Sequence, residues 1–292
     1  MEGKGEMKKR NILLVLLLFL TLGLVSCDST KKMPKYNSKK AVELSQTEYV
    51  EKVNSLTVDE KNNYSFYNEL KGKTEDGEFE LVQELILSED NFSGEYSFNG
   101  EDYNDKDNNL KYDFNVYLKD NIMYLDSSEE IVKGTDTKKV KFEVGGIYDN
   151  LFQGLTDVSE IDFLSFLKED GIKSLVDIES DILTFYQDDE KFTIKLEINK
   201  ENLESLANEV KDELDDYFEF DLTSTMKDFN YLYIINFENN KFSEYGVSFS
   251  YIDSSDQSFS LKSIYRTTSK EVKSPKNTDD YKDIKDTLED LF

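Results

Sequence analysis

The sequence predicts an α+β fold: one large antiparallel β-sheet of about ten strands, with helices packed on its apolar face. Three observations carry this. Apolar and polar residues alternate with period two through most of residues 64–266. Pairs drawn from Asp, Asn and Gly stand between the alternating runs, where positive φ is tolerated. A few segments repeat apolar residues at helical spacing instead. Alternation with short turns means antiparallel pairing with one wet face, since parallel strands read as continuous apolar runs.

A short helix is predicted over 47–56, and the first strand follows at 64–71. In 78–87, Phe79, Leu81, Leu85 and Leu87 share a face with one polar member, Gln83. In 92–98, Phe92, Tyr96 and Phe98 oppose Ser93, Glu95 and Ser97. In 110–118, Leu110, Tyr112, Phe114, Val116 and Leu118 oppose Lys111, Asp113, Asn115 and Tyr117. Further strands are predicted at 121–126, 139–144, 183–187, 191–198, 230–238, 242–252 and 257–266. The turns between them use Asp76-Gly77, Asp120-Asn121, Asp188-Asp189 and Asn239-Asn240.

Helices interrupt this series. Ile161, Leu164 and Leu167 have helical spacing in 158–169, with Ser159 and Asp162 as a cap pair, and 172–179 continues as another turn or two. The clearest helix is 200–217, with a stripe of Leu203, Leu206, Ala207, Val210, Leu214 and Tyr217 behind an N-cap Asn199. Tyr281, Ile284, Leu288 and Leu291 predict a last amphipathic helix after Pro275.

Composition excludes several functions. The 292 residues carry 35 Lys+Arg against 62 Asp+Glu, a net charge of -27, with no His, no Trp and one Cys. Imidazole metal sites, Ser-His-Asp and Cys-His dyads and an intrachain disulfide are therefore all excluded. So acidic a body repels phosphate backbones, which argues against nucleic acid as a partner.

The first residues read as an address. Lys8, Lys9 and Arg10 precede an unbroken apolar run from Ile12 to Leu20, and 16 residues separate Arg10 from Cys27. That is short of the roughly 20 apolar residues of a spanning helix and has the layout of an export signal. Leu24-Val25-Ser26-Cys27 resembles the lipobox of bacterial lipoproteins. The resemblance implies removal of residues 1–26, a diacylglyceryl group on the Cys27 sulfur, and a location on the extracytoplasmic face of a bacterial cell membrane. Residues 1–26 hold four of the basic and two of the acidic residues, so the chain from Cys27 would carry -29.

Residues 27–40 hold Lys31, Lys32, Lys35, Lys39 and Lys40 against Asp28 alone. They read as a Lys-rich tether. Two accounts stay open: lysines drawn to anionic headgroups while the acidic body stands off, or a plain solvated linker. Residues 41–292 read as a single acidic α+β domain. Export signal, lipidated Cys, short first helix, long antiparallel meander and inserted helices together resemble the lipoprotein-carrier (LolA-like) superfamily. That resemblance implies a large curved, half-barrel-like sheet whose concave face is covered by helices and holds acyl chains.

Candidate chemistry fails on inspection. Ser-x-x-Lys occurs at Ser29–Lys32, Ser165–Lys168 and Ser224–Lys227, but no Lys-Thr-Gly follows. Asp105-Lys106-Asp107-Asn108-Asn109 begins like an EF-hand loop, yet Leu110 replaces the required Gly and Val116 the required Glu. Loose Ca²⁺ binding in 101–109 and a solvated acidic turn both stay open. No carboxylate pair stands out among 62 acids, and no Gly-rich phosphate loop exists. The expectation is no catalytic, cofactor or metal residue, with Cys27 as the lipidation site. The partners expected are the membrane, through Cys27, and an apolar or lipid ligand or a partner protein. The alternative is a structural or host-facing surface lipoprotein without a pocket.

Overall fold

The alternating runs pair edge to edge into one sheet. The computed structural model describes residues 31–58, 63–75, 77–88, 91–102, 105–131, 136–143, 167, 182–202 and 226–284. Its strands are β1 (Ala41–Val42), β2 (Asn63–Thr74), β3 (Gly77–Leu87), β4 (Phe92–Asp102), β5 (Asp105–Lys119), β6 (Ile122–Ser127) and β7 (Lys139–Glu143). They continue with β8 (Leu183–Asp188), β9 (Lys191–Asn199), β10 (Met226–Glu238), β11 (Lys241–Asp253), β12 (Ser258–Thr268) and β13 (Lys282–Asp283). Every strand expected from the sequence is present. The sheet has thirteen strands rather than about ten, because two-residue strands extend both edges.

The spatial order is β1-β8-β9-β10-β11-β12-β2-β3-β4-β5-β6-β7-β13. Two meanders, β2 to β7 and β8 to β12, are thus joined where β12 pairs with β2. All pairings are antiparallel except β13 with β7, and the sheet is open, with β1 and β13 at its edges. Asp120-Asn121 and Asn239-Asn240 turn with both residues at positive φ, as two-residue hairpins require. At the β8–β9 turn the positive φ falls on Asp189 of the expected pair, while Asp188 is the last residue of β8.

Period two sends alternate residues to opposite faces. The inner face carries Tyr64, Phe66, Leu70, Leu81, Leu85, Phe92, Val116, Leu118, Ile194, Ile235 and Tyr265, all buried in one hydrophobic cluster. The faces of β3, β4 and β5 are those the alternation predicted. The burial maximum on β5 lies at Val116 and Leu118, however, while Phe114 is half-buried.

One α-helix, α1 (Gln46–Asn54), is complete among the described residues. Ser45 and Glu48 close a reciprocal capping box at its start. It buries Tyr49 and Val53 against the cluster, and Tyr49 donates its hydroxyl to the carbonyl of Leu167 at 2.7 Å. Residues 200–202 are helical behind Asn199, whose side chain accepts from the Asn202 N–H at 2.8 Å. The rest of the 200–217 helix, and those at 158–169 and 172–179 apart from Leu167, lie outside the described residues. The helix expected from Tyr281 does not start there. Residues 282–283 are extended and pair with β7, which buries Tyr281 and Ile284 without a helical turn.

Candidate functional site

Cys27 and the whole export segment lie outside the described residues. The chain that follows is placed in detail. Residues 31–40 run across the outer face of the sheet as a strap, from β3 to β8. Lys31 reaches Glu84 on β3 at 2.5 Å and stands over the Tyr67 ring of β2. Arg266 of β12 donates to the carbonyl of Lys32 at 2.5 Å. Pro34 is buried over Gly246 of β11, where an added Cβ would meet its Cδ at 2.4 Å. Asn236 of β10 donates to the carbonyl of Lys35 at 3.2 Å. Tyr36 packs on Tyr186 of β8 with ring centroids 4.5 Å apart.

The receiving groups are fixed before the strap arrives. Thr193 donates to Asn236 Oδ1 at 2.6 Å, and Asn236 donates to Glu244 Oε1 at 2.7 Å. Arg266 pairs with Glu244, whose other neighbour is Lys191 at 3.6 Å. Thr193 and Asn236 are almost fully buried, so their orientation is held by packing as well as by hydrogen bonds. At the far end Asn37 donates to Asp188 at 2.9 Å and Lys40 approaches it at 3.5 Å. The Asn37 hydrogen bond, ahead of the Lys40 charge, holds the Asp188 carboxyl below its ordinary range.

A recess of about 410 Å³ opens where the strap meets β8 and β9, lined by Lys35, Tyr36, Lys39, Tyr186, Asp188, Lys191 and Thr193. The ammonium groups of Lys35 and Lys39 make no ion pair with a described residue. Sequence reading took residues 27–40 as a tether and missed this clasp. The signal was available in Met33, Pro34 and Tyr36, which are out of place in a solvated lysine linker.

The inner face holds a second feature. A polar row crosses its centre. Ser263 donates to Asn68 Oδ1 at 2.8 Å, and Asn68 donates to Gln83 Oε1 at 2.9 Å. Tyr96 is next in register after Gln83, and its buried hydroxyl has no partner among the described residues. Beyond this row, toward the β2–β3 and β11–β12 turns, the face is aromatic but only half-buried: Phe79, Phe98, Phe114, Phe249, Tyr251 and Phe259. Tyr112 is 36% exposed. A recess of about 570 Å³ at this end of the sheet is lined mostly by residues of the polar outer face, among them Lys71, Lys73, Glu78, Glu80 and Ser260.

The remaining sequence candidates are placed as follows. Residues 105–109 are strand, paired with the end of β4, and not an open acidic turn. No three-carboxylate metal cluster occurs among the described residues. Lys32 is in the strap and Lys227 on β10; their Ser-x-x-Lys partners Ser29 and Ser224, and both Ser165 and Lys168, lie outside the described residues. Among the described residues no helix is long and apolar enough to cross a membrane.

No family model matches the chain, and no curated protein matches it. Among solved structures, the crystal structure of the ywiB protein from Bacillus subtilis is similar at 7% identity, over 74% of this chain and 97% of that chain, with a TM-score of 0.14. A likeness of that size carries no conclusion about fold or function.

Proposed function

We propose that the chain is an extracytoplasmic lipoprotein held on a bacterial cell membrane by a lipidated Cys27, and that its body is a non-catalytic module binding an apolar or lipid ligand. The inner face is then the concave side of a half-barrel. One observation supports the ligand most directly. The aromatic end of the inner face leaves Phe79, Phe98, Phe114, Phe249, Tyr251 and Phe259 only half-buried and Tyr112 36% exposed. Large apolar rings are ordinarily buried in a core, so a sheet face that leaves this many accessible suits an apolar ligand.

Native mass spectrometry of the membrane-extracted protein tests this. The expected result is a co-purified lipid, retained less by Tyr112→Asp, which puts a charge on the exposed end of the aromatic face. A protein that carries no lipid, and whose Tyr112→Asp variant is unchanged, would leave the structural or partner-docking role standing.

A further inference from the structure

We propose that the outer face of the sheet, with the strap on it, is the surface that lies against an anionic bilayer. This rests on the reading of Cys27 as the lipidated residue. Two observations at opposite ends of the strap converge on it.

The first is the length of chain between anchor and sheet. Three residues separate Cys27 from Lys31, and the four Cα–Cα steps between them reach about 14 Å at full extension. Lys31 is fixed on β3 by Glu84, and the strap behind it is gripped at Lys32, Pro34 and Lys35. A lipid on Cys27 therefore cannot let the body stand off on a long leash. It draws the outer face of β3 to the headgroup layer.

The second is the recess at the other end, on β8 six strands away in the sheet order, or about 29 Å at the usual strand spacing. Lys35 and Lys39 line it with no ion pair to a described residue, beside the Ser38 hydroxyl, while Asn37 is engaged by Asp188, Thr193 by Asn236 and Lys191 by Glu244. The acids that the strap contacts are matched: Glu84 by Lys31, Glu244 by Arg266 and Lys191, Asp188 by Asn37 and Lys40. In a protein of net charge -27, this is a cationic recess on the face nearest the anchor. Its chemistry suits a phosphate-bearing lipid headgroup, with ammonium groups for charge and a hydroxyl donor for the phosphoryl oxygens. Anchor and recess hold both ends of the strap to the headgroup layer, so the line of the strap lies along the bilayer and the inner apolar face, on the other side of the sheet, points away from it.

The absence of Trp provides the test. Val82→Trp places a reporter on the outer face of β3, and Tyr112→Trp places one on the inner face. Each full chain, lipidated in a bacterial host, is reconstituted into phosphatidylglycerol vesicles carrying dansyl-phosphatidylethanolamine, and energy transfer to the dansyl headgroups is measured. The expected result is greater transfer from Val82→Trp. Lys35→Gln with Lys39→Gln should lower the docked population by about fivefold per lysine, with unchanged circular dichroism. Equal transfer from both reporters, or greater transfer from Tyr112→Trp, overturns the orientation. No effect of the lysine changes overturns the headgroup site. Palmitate labelling is read separately. Without it the lipidation reading fails, and coupling the sole thiol, Cys27, to a maleimide lipid still measures the orientation.

Discussion

The Tyr96 hydroxyl is buried on the inner face with no hydrogen-bond partner among the described residues, next in register to a satisfied Ser263–Asn68–Gln83 row. The two situations have opposite consequences on mutation. An orphan hydroxyl gives up its water on folding and gains nothing in return, so Tyr96→Phe should raise stability by about 1 kcal/mol. Asn68→Leu should lower it by about 2–4 kcal/mol, because Gln83 loses a donor and the Ser263 hydroxyl its acceptor. Urea midpoints of the two variants decide the matter, and a destabilised Tyr96→Phe would mean that the hydroxyl has a partner after all. Lipidation is the other single-residue expectation. Cys27→Ser should abolish palmitate incorporation, since the thioether sulfur is the attachment point, and label retained in that variant would refute the site.

At the scale of elements, the strap depends on one missing side chain. Gly246 faces Pro34, and any Cβ there would collide with the proline ring. Gly246→Val should displace residues 31–37 while keeping the sheet, since β-branched residues suit strands. Trypsin should then cut faster after Lys31, Lys32 and Lys35, with unchanged circular dichroism. Cleavage at the wild-type rate would show that the clasp does not need this contact.

The strap also marks the limit of what was legible in advance. Strands β2 to β12 announce themselves because each buries one face, and burial writes period two into the sequence. Strand β5 begins five residues earlier than read, because its first residues are held by backbone pairing to β4 and not by side-chain pattern. Strand β10 begins four residues early, where a register shift between Met226 and Asp228 breaks the alternation. Two-residue strands such as β1 and β13 are too short for any period. Tyr281 and Ile284 fit helical spacing equally well, and only the free edge of β7 decides for extension. The clasp residues Asn236, Glu244 and Arg266 read locally as ordinary polar-face positions. Their role arises from contacts with a segment some 200 residues away.

At the scale of the whole molecule, composition and burial together fix how stability responds to pH. The chain has no His and 18 Tyr, so no side chain with an ordinary near-neutral pKa is present, and the alkaline limit belongs to tyrosine. Burial pushes the hydroxyls of Tyr49, Tyr67, Tyr96, Tyr233, Tyr245 and Tyr265 well above their ordinary range, and burial also raises Tyr281, to about 12. Raised folded-state values mean that the native state holds its protons where the unfolded chain releases them. Below about pH 10 both states are protonated and the full stability is present. As pH climbs from there toward the folded-state values, each such tyrosine removes stability at about 1.4 kcal/mol per pH unit. The self-repulsion of so acidic a body grows in the same direction. With six residues acting together, loss of structure should be abrupt and not gradual. Followed together, tyrosinate absorbance and circular dichroism should change in one transition above about pH 10. Most of the absorbance rising on the ordinary tyrosine curve, with circular dichroism still native, would place those rings in water and contradict the buried inner face.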